Sequence, residues 1–256
     1  MSHSTLTALY TLSRKEIVRI LRIWTQTIVP PAMTMTLYFV IFGNLIGKRI
    51  GQMDGFDYMS FIVPGLVMMS VITNSYGNIV SSFFGAKFSK HVEEMLVSPM
   101  PNYVILFGHV FGALSRGLLV GGIVTVIALF FTEIHVYNIW IVLSTLVLTS
   151  VVFALAGFVN ACLATKFDDI AIIPAFILTP LTYLGGVFYS ISLLPEFWQT
   201  VSKFNPVLYM VNAFRYGFLG VSDVNIYVAY GIILSFVVVL TSLCLYILNK
   251  GIGLRS

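Results

Sequence analysis

The chain has 256 residues, 58% hydrophobic and 9% charged, where an ordinary soluble domain carries roughly 45–50% and 25%. That composition excludes a water-soluble globule. At about 20 apolar residues per bilayer crossing, the length holds six spans and their loops but no soluble domain of typical size beside them, so an energy-coupling domain is expected on another chain. The net charge of +4 does not mark a nucleic-acid partner, because Lys and Arg sit at the ends of apolar runs and not around aromatic platforms.

Residues 1–12 show no apolar core followed by a small-residue cleavage site, so no cleaved signal peptide is expected. From 6 to 24 the pattern is amphipathic: Leu6, Leu9, Tyr10, Ile17, Ile20, Leu21 and Trp24 fall on one side of a helix, and Arg14, Lys15, Arg19 and Arg22 on the other. Residues 1–26 therefore read as an interfacial helix with its basic face toward anionic headgroups, serving as a membrane anchor or as an anchor that also touches a cytoplasmic partner. Glu16 breaks the pattern near the edge of the apolar arc, three residues before Arg19, at the spacing of a helical ion pair.

Six apolar runs follow, at 27–46, 58–83, 104–131, 139–164, 170–189 and 226–248, each long enough to cross. The expected fold is an all-α polytopic membrane protein in one transmembrane domain. Spans one to five occupy 27–190, an external segment 191–225, span six 226–249 and a tail 250–256. With the N-terminus in the cytoplasm, nine basic residues lie inside (Arg14, Lys15, Arg19, Arg22, Lys87, Lys90, Lys166, Lys250, Arg255) and four outside (Lys48, Arg49, Lys203, Arg215). That asymmetry places both termini in the cytoplasm.

Between spans two and three, residues 85–101 end at Ser98-Pro99-Met100-Pro101. Read as a helix, Phe84, Phe88, Val92 and Met95 make one stripe, with Lys87, Lys90, Glu93 and Glu94 on the remaining surface. The stripe either packs on the protein's own spans or docks on a soluble partner. Within span two, Ser70, Asn74, Asn78 and Ser81 follow helical spacing, as interhelical glue or as one wall of a substrate path. Arg116 lies about a dozen residues into span three, where a charge must face protein, water or a headgroup. Gly108, Gly112, Gly117 and Gly121 around it give two small-residue spacings that permit a dimer seam. In the external segment, 196–204 reads as a short helix begun by Pro195 and ended by Asn205-Pro206. The apolar piece 207–219 is too short to cross and is expected to re-enter the outer leaflet.

No catalytic or metal site emerges. Gly43-Asn-Leu-Ile-Gly47-Lys48-Arg49 has three residues between its glycines and Arg where a phosphate loop places Ser or Thr. The four histidines are scattered, and Cys162 and Cys244 read as small buried hydrophobes. Transmembrane Asp and Glu, the usual relays of ion-coupled carriers, are missing from the apolar runs, and a membrane enzyme would need a nucleophile and base that no pair supplies.

From Leu178 the chain carries Leu181, Leu184-Gly185, Val187, Leu194-Pro195, Pro206, Tyr209 and Arg215 at a specific spacing. This resembles the C-terminal signature of ABC-2 type transporter permeases, the membrane subunits of many bacterial ATP-driven exporters, with Val207 a departure after Pro206. The order of elements along the whole chain is similar too. The resemblance implies the ABC-2 fold in the bacterial inner membrane, with two subunits forming a pathway at their interface. Each would sit on a separate ATPase chain that binds ATP and magnesium, leaving no cofactor here. It also implies a coupling helix containing Lys87, Phe88, Lys90, Val92, Glu93, Glu94 and Met95, and a shorter second contact at Lys166, Asp168 and Asp169. The substrate class it implies is lipid-like, glycan or amphipathic; an ion-coupled secondary transporter is the alternative.

Overall fold

The computed structural model describes residues 3–254. Arg255, counted above among the inside residues, lies outside the described residues, as does the side chain of Lys48. Helix α1 (His3–Arg22) and helix α2 (Trp24–Tyr38) are separated by one non-helical residue, Ile23, at φ −106° and ψ 34°. The amphipathic helix thus ends before the boundary at 26. A π-helical turn (Phe39–Gly47) continues α2 into the short α3 (Lys48–Ile50).

A two-stranded hairpin follows, β1 (Gln52–Met53) paired antiparallel with β2 (Phe56–Asp57). Asp54 and Gly55 both take positive φ in its turn, the conformation that Asp-Gly adopts most readily. Asp57 then caps the longest helix, α4 (Tyr58–Phe88), accepting a hydrogen bond from the Met59 N–H at 3.1 Å. Lys90, in the left-handed region at φ 62°, turns the chain into α5 (His91–Val97). Residues 85–101 are therefore not one helix. Phe84, Lys87 and Phe88 close α4, while Val92, Glu93, Glu94 and Met95 ride on a separate helix.

Next come α6 (Asn102–Ala128) and α7 (Ile139–Leu163), which pack along both sides of α4. The fifth apolar run begins at α8 (Phe167–Ile173), passes through a π turn (Pro174–Leu178) and ends in α9 (Thr179–Tyr183), helical pieces of 7, 5 and 5 residues without a break. Proline removes an N–H and crowds the carbonyl one turn back. Pro174 and Pro180 locally widen the helix, and the Thr179 N–H bonds to Pro174 O, five residues back. At 1.5 Å per residue this run is about 25 Å long, and from Leu184 the chain turns. The remaining elements are α10 (Glu196–Lys203), α11 (Pro206–Leu219) and α12 (Ile226–Lys250). Among the described residues, five helical runs are long and apolar enough to cross a membrane: Trp24–Gly47, Tyr58–Phe88, Asn102–Ala128, Ile139–Leu163 and Ile226–Lys250.

Four of the five glycines of α6, Gly108, Gly112, Gly117 and Gly121, admit parts of this chain's own helices, while Gly122 has nothing within 4 Å. A Cβ at Gly108 would lie 2.5 Å from the Leu12 side chain, and one at Gly112 2.5 Å from Glu16 Cβ. Gly117 and Gly121 admit Ser75 and Val71 of α4 in the same way. These contacts draw α1 onto the bundle. The sequence puts α1 on the membrane surface, but its central residues Leu12, Glu16 and Ile20 are buried against protein.

At the hairpin end, the loop after α9 presses on α4, where Gly65 leaves room for the Val187 backbone. Arg215 is 1% exposed and holds this end together. Its guanidinium sits 3.9 Å from the Phe61 ring centroid, donates to Gly186 O and lies 4.0 Å from Asp223. Asp223 in turn accepts from Ser190 Oγ at 2.6 Å and from the Ile191 N–H at 3.2 Å.

Candidate functional site

At the α5 end, two stretches far apart in sequence meet. The Lys87 ammonium donates to the carbonyls of Cys162 and Ala164, occupying the unpaired C-terminal acceptors of α7. Phe84, Phe88 and Phe167 form an aromatic trio of tilted and edge-to-face rings, with Phe88 and Phe167 centroids 4.9 Å apart. Asp169 fixes the neighbouring loop by accepting from the N–H groups of Thr165 at 2.8 Å and Lys166 at 2.9 Å. The Thr165 N–H bond, followed by that of Lys166, holds its carboxyl below the usual carboxylate range. The structure thus brings Lys87 and Phe88 together with the stretch that carries Lys166, Asp168 and Asp169.

Which of these side chains face outward differs from the single-stripe reading. Phe88 is 63% exposed and Phe167 55%. Lys90, Glu94, Lys166 and Asp168 are exposed around them. Val92 is buried, and Met95 lines a groove against Ala8, Leu12 and Lys15 of α1. Val97, which the sequence reading passed over, is 88% exposed.

The polar stripe of α4 is built into a buried network. Ser70 Oγ donates to Leu66 O and Asn74 Nδ2 to Ser70 O. Asn74 Oδ1 accepts from Arg116 Nη2 at 3.1 Å, so the partner of Arg116 is the stripe itself. One turn on, Asn78 Oδ1 accepts from Arg19 Nη2 at 2.8 Å. Arg19 also pairs with Glu16 at 3.1 Å, and both Glu16 oxygens lie 2.7 Å from Ser82 Oγ. Ser70, Asn74 and Asn78 are buried, whereas Ser81 is exposed beside Thr73 and half-buried Gly77. The open strip of α4 is thus Thr73, Gly77 and Ser81, displaced to one side of the stripe read from polarity alone.

The signature residues serve structure at the other end. Beyond Arg215, Gly185 leaves room for Val207, Pro195 precedes α10, Pro206 starts α11, and Tyr209 Oη donates to Lys203 O at 2.8 Å. The ABC-2 type transporter family model matches residues 7–219, from α1 through this signature. The chain belongs to that family. It is 56% identical over 256 residues to the inner membrane transport permease YadH of Escherichia coli (strain K12), covering 100% of both chains, and equally similar to the YadH of Shigella flexneri. Nodulation protein J of Rhizobium leguminosarum bv. viciae is 24% identical over 204 residues, 79% of each chain. The protein is an ABC-2 transport permease of the inner membrane, a transport subunit and not a catalyst.

Proposed function

We propose that this permease is the membrane half of an ATP-driven exporter, working as a homodimer with each copy seated on a separate ATPase that binds ATP and magnesium. The observation that carries the reading is the exposed Phe88–Phe167 pair, which joins the end of α4 to the start of α8 as one apolar knob, with exposed charges at Lys90, Glu94, Lys166 and Asp168 on the adjoining segments. Buried apolar anchors inside a polar rim are how transmitting interfaces gain their strength. The substrate class is lipid-like, glycan or otherwise amphipathic. Both termini and the α5 face lie in the cytoplasm, six segments cross, and the fifth crossing is the proline-broken run that continues beyond Tyr183. In this arrangement α11 is a re-entrant element on the outer side, supported by its near-complete burial, which satisfies the condition for a helix too short to span.

An ion-coupled carrier is less favoured. Of the described acids only Glu16 is fully buried, and its oxygens are committed to Arg19 and Ser82. Co-purification with the cognate ATPase tests the proposal: Phe88→Asp abolishes it, while Glu94→Ala costs less because rim charges mainly set encounter rate. If Phe88→Asp and Phe167→Asp both leave ATPase binding intact, the docking face lies elsewhere.

A further inference from the structure

Asn74 and Asn78 stand one turn apart on α4, and each receives a guanidinium from a different helix, Arg116 from α6 and Arg19 from α1. The two positive groups are therefore held at sites about 6 Å apart along the α4 axis. Glu16 offsets Arg19, and its oxygens are already taken by that arginine and Ser82. Arg116 has no carboxylate within 4.0 Å among the described residues, and its Nε is buried without a hydrogen-bond partner. A guanidinium offers five N–H donors, and the protein bonds this one only through Nη2 to Asn74. Two guanidiniums and one carboxylate leave a positive charge at membrane depth with no counter-ion from this chain, an arrangement that is costly unless an anion arrives. There is room for one. Gly77, on the same side of α4, has nothing within 4 Å of where a side chain would begin, and it is flanked by exposed Thr73 and Ser81, whose hydroxyls donate to Met69 O and Asn78 O of their own helix.

We propose that Arg116, with Arg19 beside it and the open strip at Gly77 to admit the ligand, forms a binding site for a phosphate group, carried on an anionic amphiphile. Phosphate oxygens accept from a guanidinium fork in pairs, using the donors that Asn74 leaves free. A headgroup held here has its acyl chains beside α4 in the bilayer. Whether the headgroup belongs to the exported substrate or to a resident phospholipid rests on the exporter reading; the anion site itself does not.

The test uses the full-length permease in phosphatidylcholine nanodiscs, with spin-labelled phosphatidylglycerol compared against spin-labelled phosphatidylcholine. Wild-type protein retains the anionic lipid with a preference of about tenfold, the scale of one charge-assisted hydrogen-bonded contact. Arg116→Gln removes most of that preference. Asn74→Asp does the same while keeping the arginine, because it supplies the missing counter-ion internally, so a misfolded Arg116 variant does not decide the matter. Lys203→Gln, an exposed cation on α10 at the opposite end of the molecule, leaves the preference in place. Displacement by inorganic phosphate assigns the site to free phosphate, and persistence assigns it to the lipid headgroup; both keep the anion site. Equal retention of the two lipids by wild type, or an unchanged preference in both Arg116→Gln and Asn74→Asp, overturns it. ATPase co-purification, measured on the same samples, reports separately on the exporter reading.

Discussion

Glu16 is a carboxylate with none of its surface in solvent, set on a helix whose Arg14, Lys15 and Arg22 are exposed while Arg19 alone turns inward with it. Its burial is tolerable because Arg19 supplies the counter-charge and Ser82 a hydroxyl proton. Removing one member of a buried pair leaves the other uncompensated, at a cost of about 3–5 kcal/mol. Glu16→Ala should therefore destabilise the folded permease by about 3 kcal/mol, and Glu16→Gln, which keeps the shape and can still accept from Ser82, by less. Size-exclusion profiles after graded heating read the difference. Gly112 reaches the same contact from the α6 side: Gly112→Val puts carbon where Glu16 Cβ already sits, so α1 must lift away. Protease sensitivity of the first 22 residues should rise in that variant while the α4, α6 and α7 bundle stays intact. Arg215 offers a parallel case at the hairpin end. Arg215→Lys keeps a charge but loses the planar group that stacks on Phe61 while reaching Gly186 and Asp223, and it should lower folded yield even though formal charge is unchanged.

At the scale of elements, the α4 end and α5 separate two roles that one stripe would merge. Val92 is 1% exposed and Phe88 63%, so the same chemical change has opposite readouts. Val92→Asp buries a charge and should cut permease abundance, whereas Phe88→Asp should leave abundance near wild type and remove only the ATPase, as judged by membrane immunoblot and pull-down together. Much of this architecture is legible in the sequence. The long apolar runs locate the five long helices, Pro195 and Asn205-Pro206 bracket α10, and Asp54-Gly55 carries a hairpin signal that the sequence reading left unused. Pro174 and Pro180 likewise announce the irregular fifth run. Other features depend on which faces meet, which periodicity does not encode. A left-handed Lys90 has no glycine to mark it. The exposed strip of Thr73, Gly77 and Ser81 carries less polarity than the buried stripe next to it, so polarity pointed to the side that packs. The role of Glu16 stayed hidden because Ser82, which donates to it, and Asn78, which accepts from its ion-pair partner Arg19, lie a span away.

For the whole molecule, the hairpin with the α10–α11 region at one end and the α5 face at the other define two surfaces whose sides a chemical label can tell apart. Cys162 and Cys244 are both buried, so single cysteines introduced elsewhere report cleanly. Cysteines at Gln52 and Ser222 should react with an impermeant maleimide from outside the inner membrane, and one at Ser89 only after permeabilisation; reaction of Ser89 in intact cells would reverse the orientation. The docking of α1 also sets an order of events during synthesis. Ser82, which completes the shell around Glu16, is made 66 residues after it, a delay of about 3–13 s at the usual elongation rates of roughly 5–20 residues per second. Throughout that interval the nascent helix carries an unsheltered acid on an otherwise apolar side, and α6, which must receive it, emerges later still. A chaperone or insertase that shields α1, or a protease that samples it, has those seconds in which to act, and slowing translation between α2 and α6 should lower the yield of intact permease more than slowing it after α7.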